Sequence, residues 1–310
     1  EGDEFEESID RSTEINREIP FSPEEIVAKI REAGIVGMGG AGYPTPIKTK
    51  LPEGKKVDCL IINGIECEPF LTADDRLMIE KAEQIVIGAK IINKALGIQN
   101  AIIAIDENKP RAIEILTKIT KTYIGVNVQV CSTKYPQGGE KQLITAVTGR
   151  EVPSGKLPVD AGCLVQNVGT VFAIYEAVMK NKPLFERIVT VSGDACLHPA
   201  NYRVRVGTPA SFLIEKAGGM TPETAQVIFG GPMMGTSAFN VNAPITKLTS
   251  GILLLSDRLT HKEAEQSCIR CGKCGEVCPM GLQPFRIGQF VRADMLEETK
   301  ECNVLDCIEC

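Results

Sequence analysis

Histidine is almost missing from this chain. Its 310 residues include two, His198 and His261, and neither has metal-like company. A basic excess is missing too. The formal net charge is −6, which argues against nucleic acid as a partner, because phosphate binding needs surplus Lys and Arg. Long apolar runs are absent, so no segment reads as a bilayer span, although docking on a membrane protein stays open. No secretory leader is apparent in the opening residues. Hydrophobic residues make up 43% and charged residues 24%, ordinary for a globular protein, and the length suits two or three domains.

Cysteine is what the chain has in quantity. There are twelve, and seven fall within the last 43 residues. Short spacings of this kind read as metal ligation in a reducing compartment rather than as disulfides. Cys268, Cys271, Cys274 and Cys278, followed by Pro279, form C-x₂-C-x₂-C-x₃-C-P, the bacterial ferredoxin run for a [4Fe–4S] cluster. The alternative is zinc, which favours two separated C-x-x-C pairs or histidine partners. Cys307 and Cys310 open a second C-x-x-C at the end of the chain. By the ferredoxin crossover rule, Cys268, Cys271 and Cys274 would serve one cluster, and Cys278, Cys307 and Cys310 the other, each one ligand short. Cys302 also fits a plant-type spacing with Cys307 and Cys310, but reads as a bystander beside a bacterial run. The chain opens on Glu1 and stops in mid-motif, so it is expected to be part of a longer protein. Cys59, Cys67, Cys131, Cys163 and Cys196 are scattered, and core packing is their default role. Cys67 stands out because Glu66 and Glu68 flank it.

Along the chain, residues 1–20 carry eight acidic and two basic residues and read as a solvated linker or the tail of a preceding domain. Ser22-Pro23-Glu24-Glu25 is a helix start with a capping box, and Gly34 stops that helix. Five glycines then fall between Gly34 and Gly42, followed by Tyr43-Pro44. The glycine run exposes backbone N–H groups in a way that suits phosphate. It contains a G-x-G-x-x-G, but follows a helix rather than a strand, which removes the dinucleotide-fingerprint reading. Strands are expected at 59–62, 101–105, 126–130 and 164–165, alternating with helices at 74–95, 110–120, 139–148 and 169–180. That alternation predicts an α/β domain with a mostly parallel, Rossmann-like sheet. From Arg187 the pattern changes to strands at 188–191, 203–206, 225–229 and 252–255 around one helix at 209–217, a small β-grasp-like unit. The expected divisions are an acidic stub at 1–21, an α/β domain at 22–186, the β-grasp unit at 187–256 and a helical, ferredoxin-like cysteine domain at 257–310.

Ligands of parallel sheets bind at the strands' carboxyl ends. Three loops fall there: Asn63–Pro69 running into Thr72–Arg76, Tyr135–Lys141, and Asn167–Thr170. Each alone could be a turn with a helix cap, with Asp74 and Thr170 as caps. Together with Gly37–Lys48 they predict one cofactor pocket, with backbone amides and Lys48 for a phosphate.

The strings GMGGAGYPT, NGIECEPFLTADDRLM, YPQGGEKQLI, TGREVPSGKLP, NVGT, GGPMMG and CIRCGKCGEVCPMGLQP resemble the C subunit of the Rnf complex, in order and spacing, over residues 22–310. The first half is also similar to the flavin subunit of respiratory complex I, which has Arg where Met38 stands here. The resemblance implies the NAD-side subunit of a membrane-bound ferredoxin:NAD⁺ oxidoreductase, peripheral on the cytoplasmic side, beside other Rnf subunits and indirectly ferredoxin. It implies FMN, NAD(H) as substrate, and two [4Fe–4S] clusters in the full-length protein. By motif, Gly37, Gly39, Gly40, Gly42, Lys48, Asn63, Glu66, Asn167 and Thr170 would form the flavin site. Tyr43, Glu68 and Glu140 would meet NAD(H), with Gly139 in the same loop. No side chain is implied as an acid or base. Two other readings are open: a soluble adaptor serving a reductase such as proline reductase, and a non-catalytic scaffold that has lost its flavin.

Overall fold

A computed structural model describes residues 5–261 and 263–310. Its first half is built on four strands, β1 (Cys59–Gly64), β2 (Ala101–Asp106), β3 (Val126–Cys131) and β4 (Cys163–Asn167). All pair in parallel in the order β3-β2-β1-β4, with Leu60 opposite Ala101 and Cys59 opposite Cys163. The apolar runs form strands because both faces are covered. Side chains alternate between faces. Leu60, Ile62, Ile103 and Ile105 enter one core, while Cys59, Ile61, Ala104 and Cys163 enter the other.

The helices are α1 (Pro23–Glu32), α2 (Thr45–Thr49), α3 (Ala73–Glu80), α4 (Ala82–Leu96), α5 (Pro110–Thr120), α6 (Glu140–Thr148) and α7 (Val168–Lys180). Helix α1 starts as its sequence predicts. The Ser22 Oγ accepts from Glu25 N, and Glu25 returns the bond to Ser22 N. Helices α4 and α7 cross where Gly88 leaves no room, since a Cβ there would lie 2.4 Å from the Val171 carbonyl oxygen. The single helix expected over 74–95 is two helices, broken at Lys81, whose φ is −125°. The apolar spacing continues through the break, so periodicity could not show it. The break lets α3 lean toward α5 and the second sheet while α4 stays beneath the first.

The acidic opening stretch is not a free linker where it is described. Asp10 pairs with Lys180 and Arg17 with Glu83, Asn16 N donates to the Tyr175 hydroxyl, and Ile15 and Ile19 pack on the helical core. Its apolar anchors, Phe5 on Phe185 and then Ile15 and Ile19, are too few and too unevenly spaced to make a periodic signal.

The second half is a mixed five-stranded sheet of β5 (Glu186–Ser192), β6 (Ala200–Arg205), β7 (Thr224–Phe229), β8 (Thr236–Ser237) and β9 (Gly251–Ser256), in the order β6-β5-β9-β7-β8. Strands β5 and β9 are parallel and the other pairs antiparallel. Helix α8 (Ala210–Lys216) closes its core. The two-residue β8 lies beyond what the sequence pattern showed.

Four short helices follow: α9 (Asp257–Thr260), α10 (Lys273–Glu276), α11 (Pro284–Arg292) and α12 (Leu296–Glu301). This cysteine-bearing arm lies against the first sheet's loops. Gln142 Nε2 donates to Met280 Sδ at 3.1 Å, and the Tyr135 hydroxyl donates to the Cys310 carbonyl oxygen at 3.4 Å. Among the described residues no helix is long and apolar enough to cross a membrane.

Candidate functional site

Because the four strands are parallel, their carboxyl ends open on one side, and the expected loops converge there. The glycine loop is pinned to the end of β4. Met38 N donates to Thr170 Oγ1 at 2.9 Å, and a Cβ on Gly39 would stand 3.2 Å from that of Asn167. Within the loop, Gly37 N donates to Tyr43 O and Gly42 N to Gly37 O. The amides of Gly39, Gly40 and Ala41 take part in none of these bonds. Among the described residues, Gly40 holds φ +121° with open space at its Cβ position, and the Thr45 hydroxyl at the loop's exit is buried without a partner. Consecutive free amides of this kind suit an oxygen-rich anion.

Asn167, rather than Thr170, caps α7. Its Oδ1 accepts from Gly169 N and Thr170 N, while its Nδ2 donates to Asp74 Oδ2 at 2.7 Å. Asp74 likewise is not the cap of α3. That place is taken by Glu66, whose two carboxylate oxygens accept from Asp74 N at 2.8 Å and Asp75 N at 3.0 Å. A cap seven residues upstream of the helix lies outside the local pattern a sequence shows. Glu66 turns back through a φ of +46°, which lets it reach the helix end. Burial, then the neighbouring Asp74, push the Glu66 carboxyl up to about 8, against the pull of the two amides. Burial raises Asp74 and Asp75 as well.

Asn63 joins the first loop to the second, its Nδ2 donating to Gly138 O at 2.8 Å. Cys67 Sγ accepts from Gly138 N, and burial raises its thiol. Gly139 precedes α6, and a Cβ there would stand 3.1 Å from Pro136 O. Lys48 and Glu140 form an ion pair at 2.5 Å, so an incoming anion would compete with Glu140 for the lysine. Tyr43 is half exposed at the rim.

Residues 30–176 match the Nuo51 FMN-binding domain family and residues 188–237 the SLBB domain family. The chain is 45% identical over 277 residues to the C subunit of the Na⁺-translocating ferredoxin:NAD⁺ oxidoreductase complex of Acetobacterium woodii, covering 89% of this chain and 62% of that protein. It is 48% identical over 289 residues to the C subunit of the proton-translocating ferredoxin:NAD⁺ oxidoreductase complex of Clostridium ljungdahlii, covering 92% of this chain and 63% of that one. The chain belongs to the Rnf C-subunit family. It spans less than two thirds of these relatives' length. An NAD⁺-reducing [NiFe]-hydrogenase chain shares the fold, with a TM-score of 0.64 at 21% identity over 76% of this chain and 47% of that one.

What sequence reasoning missed in this member of the Rnf C-subunit family is the second sheet's part in the site. Lys247 Nζ donates to Gly34 O at 2.6 Å, and a Cβ on Gly42 would meet Leu248 Cδ2 at 2.7 Å. Ser192 Oγ donates to Phe70 O at 2.7 Å, and Asn201 bonds Thr72. Arg187 on β5 is buried, its guanidinium brought down to about 10 by desolvation despite the opposing pull of Asp74. No local pattern marks such cross-sheet contacts, although GGPMMG was among the strings carrying the resemblance.

The six cysteines expected to bind metal, Cys268, Cys271, Cys274, Cys278, Cys307 and Cys310, are exposed or partly exposed. Among the described residues no group of three or more His, Cys, Asp or Glu stands close enough to hold a metal ion. The thiols are therefore not gathered for a cluster in this arrangement of the arm.

Proposed function

We propose that this chain is the NAD-side electron-entry part of an ion-translocating ferredoxin:NAD⁺ oxidoreductase, binding FMN and exchanging hydride with NAD(H). One observation carries the reading: a glycine loop pinned at the carboxyl end of β4, with three amides that make no hydrogen bond among the described residues, in a chain that also bears a ferredoxin-type cysteine run. The amides of Gly39, Gly40 and Ala41, the Thr45 hydroxyl and Lys48 would hold the flavin phosphate. Gly37 and Gly42 shape the loop, and Asn63, Glu66, Asn167 and Thr170 keep the surrounding loops in register. Flavin, when bound, accepts two electrons as hydride and passes them on singly, the exchange needed between nicotinamide and iron–sulfur centres. Tyr43, Glu68 and Glu140 at the rim would orient the dinucleotide, with Gly139 allowing close approach, and the second sheet closes the site against water.

The mixed sheet, with one helix across it, serves as a β-grasp unit. The motif spacing proposes Cys268, Cys271, Cys274, Cys278, Cys307 and Cys310 as [4Fe–4S] ligands, which requires the arm to draw its thiols together. The arm already lies on the Tyr135 loop. The proposed setting is peripheral, on the cytoplasmic face of the membrane, beside partner subunits. Reconstitution with FMN followed by NADH–ferricyanide assay tests the reading. Bound flavin and NADH-dependent turnover support it, and the absence of either defeats it.

A further inference from the structure

Glu68 is held from the second sheet. Its Oε2 accepts from Met233 N at 2.8 Å and from Met234 N at 3.3 Å, in the turn between β7 and β8. That turn fits the carboxylate closely. A Cβ on Gly231 would stand 2.1 Å from Glu68 Oε2. The turn is also built tightly in itself: Gly230 holds φ +105°, and a Cβ on Gly235 would stand 2.3 Å from Gly231 O. Two adjacent amides facing one carboxylate oxygen form a small anion-binding concavity. Bonds to an ionised acceptor are among the stronger protein hydrogen bonds. The other oxygen, Oε1, makes no hydrogen bond among the described residues. Glu68 also lies near Tyr135, whose hydroxyl is pushed up to about 12 by burial, then by Glu68.

We infer that the Gly231–Met234 turn of the mixed sheet is a positioning device for the dinucleotide. It takes one oxygen of Glu68 and so presents the other to a donor group of NAD(H), a ribose hydroxyl or the carboxamide. The inference rests on the proposed function above and extends it, because it makes the SLBB-matching half of the chain a determinant of dinucleotide affinity. Met233 and Met234 are each about half exposed beside the held carboxylate, which places flexible apolar side chains at the same rim. The glycine loop and its amides are not involved, so the device acts on the dinucleotide and not on flavin retention.

The test is Gly231→Ala in the FMN-loaded protein. Gly231 is not among the glycines with positive φ, so alanine suits its backbone. The added methyl group would stand 2.1 Å from Glu68 Oε2 and 2.8 Å from its Cβ, so the whole Glu68 side chain must move out of the turn. Flavin content, thermal midpoint, KM and kcat for NADH with ferricyanide, and NAD⁺ affinity are measured for Gly231→Ala, Glu68→Gln and the double variant. The expected result is a rise of about tenfold in KM for NADH with Gly231→Ala, the scale of one lost bond to a charged group. Flavin content and kcat should change little, and the KM of the double variant should resemble that of Glu68→Gln alone. If Gly231→Ala keeps the parent KM while Glu68→Gln raises it, or if the two effects add fully, the turn does not position Glu68. If the parent protein binds flavin but neither binds NAD⁺ nor oxidises NADH, the functional reading itself fails, a result distinct from the first.

Discussion

Replacing Asn167 with alanine probes how the site is held together. The side chain does two things at once, capping α7 through Oδ1 and donating to buried Asp74 through Nδ2. Losing the cap costs about 1 kcal/mol. Depriving a buried carboxylate of a donor costs a further ~1–3 kcal/mol. Alanine keeps the Cβ against which Gly39 packs, so the change isolates the polar terms. The sum, about 2–4 kcal/mol, corresponds to a midpoint lowered by roughly 5–15 °C. Thermal unfolding and flavin content, measured on parent, Asn167→Ala and Asn167→Ser, give the assay. Serine keeps a cap but cannot reach Asp74, so it should fall between the other two. An Asn167→Ala protein within ~0.5 kcal/mol of the parent, with flavin retained, would refute the claim that this residue ties the glycine loop, α7 and α3 together.

Glu66 gives a pH prediction. Its folded pKa lies above its unfolded value, so its contribution to stability is complete below about 4.5 and is lost as pH rises to about 8. The parent's denaturant midpoint should therefore fall over that interval and Glu66→Gln should flatten the fall; equal slopes would contradict it. Gly40→Val meets no neighbour but forces φ +121° on a branched residue, a strain of roughly 1–3 kcal/mol, and should empty the loop of flavin while the protein stays folded. Retained flavin in that variant would count against the loop as a phosphate cradle. After anaerobic reconstitution, Cys278→Ser should lower bound iron relative to the parent, whereas Cys196→Ser should not; equal iron in both would remove the cluster assignment.

The parallel sheet was legible because each strand is a short apolar run between a helix and a turn. Strand ends came out one or two residues short at Gly64, Asp106 and Asn167, where polar or glycine residues continue the ladder. The helix start at Ser22-Pro23 was legible in full, because capping is a local interaction. The cap of α3 was not, because Glu66 reaches it from a separate loop. The break at Lys81 was hidden by uninterrupted apolar spacing. Sequence motifs brought the four loops to one place, but not the division of labour within them. Asn63, Glu66, Asn167 and Thr170 commit polar atoms to one another's loops, and Lys48 and Glu140 to each other. The grip of the second sheet on Glu68, Gly34 and Phe70 depends on tertiary contacts between residues far apart in sequence, with no periodic trace.

Anaerobic titration of the FMN-loaded chain with NADH, followed by flavin absorbance, tests the central claim most directly. The account predicts one flavin retained per chain, bleached by about one equivalent of NADH, and no bleaching in a Gly40→Val protein that has lost its flavin. A chain that retains flavin unbleached under excess NADH, or that retains none, would contradict it.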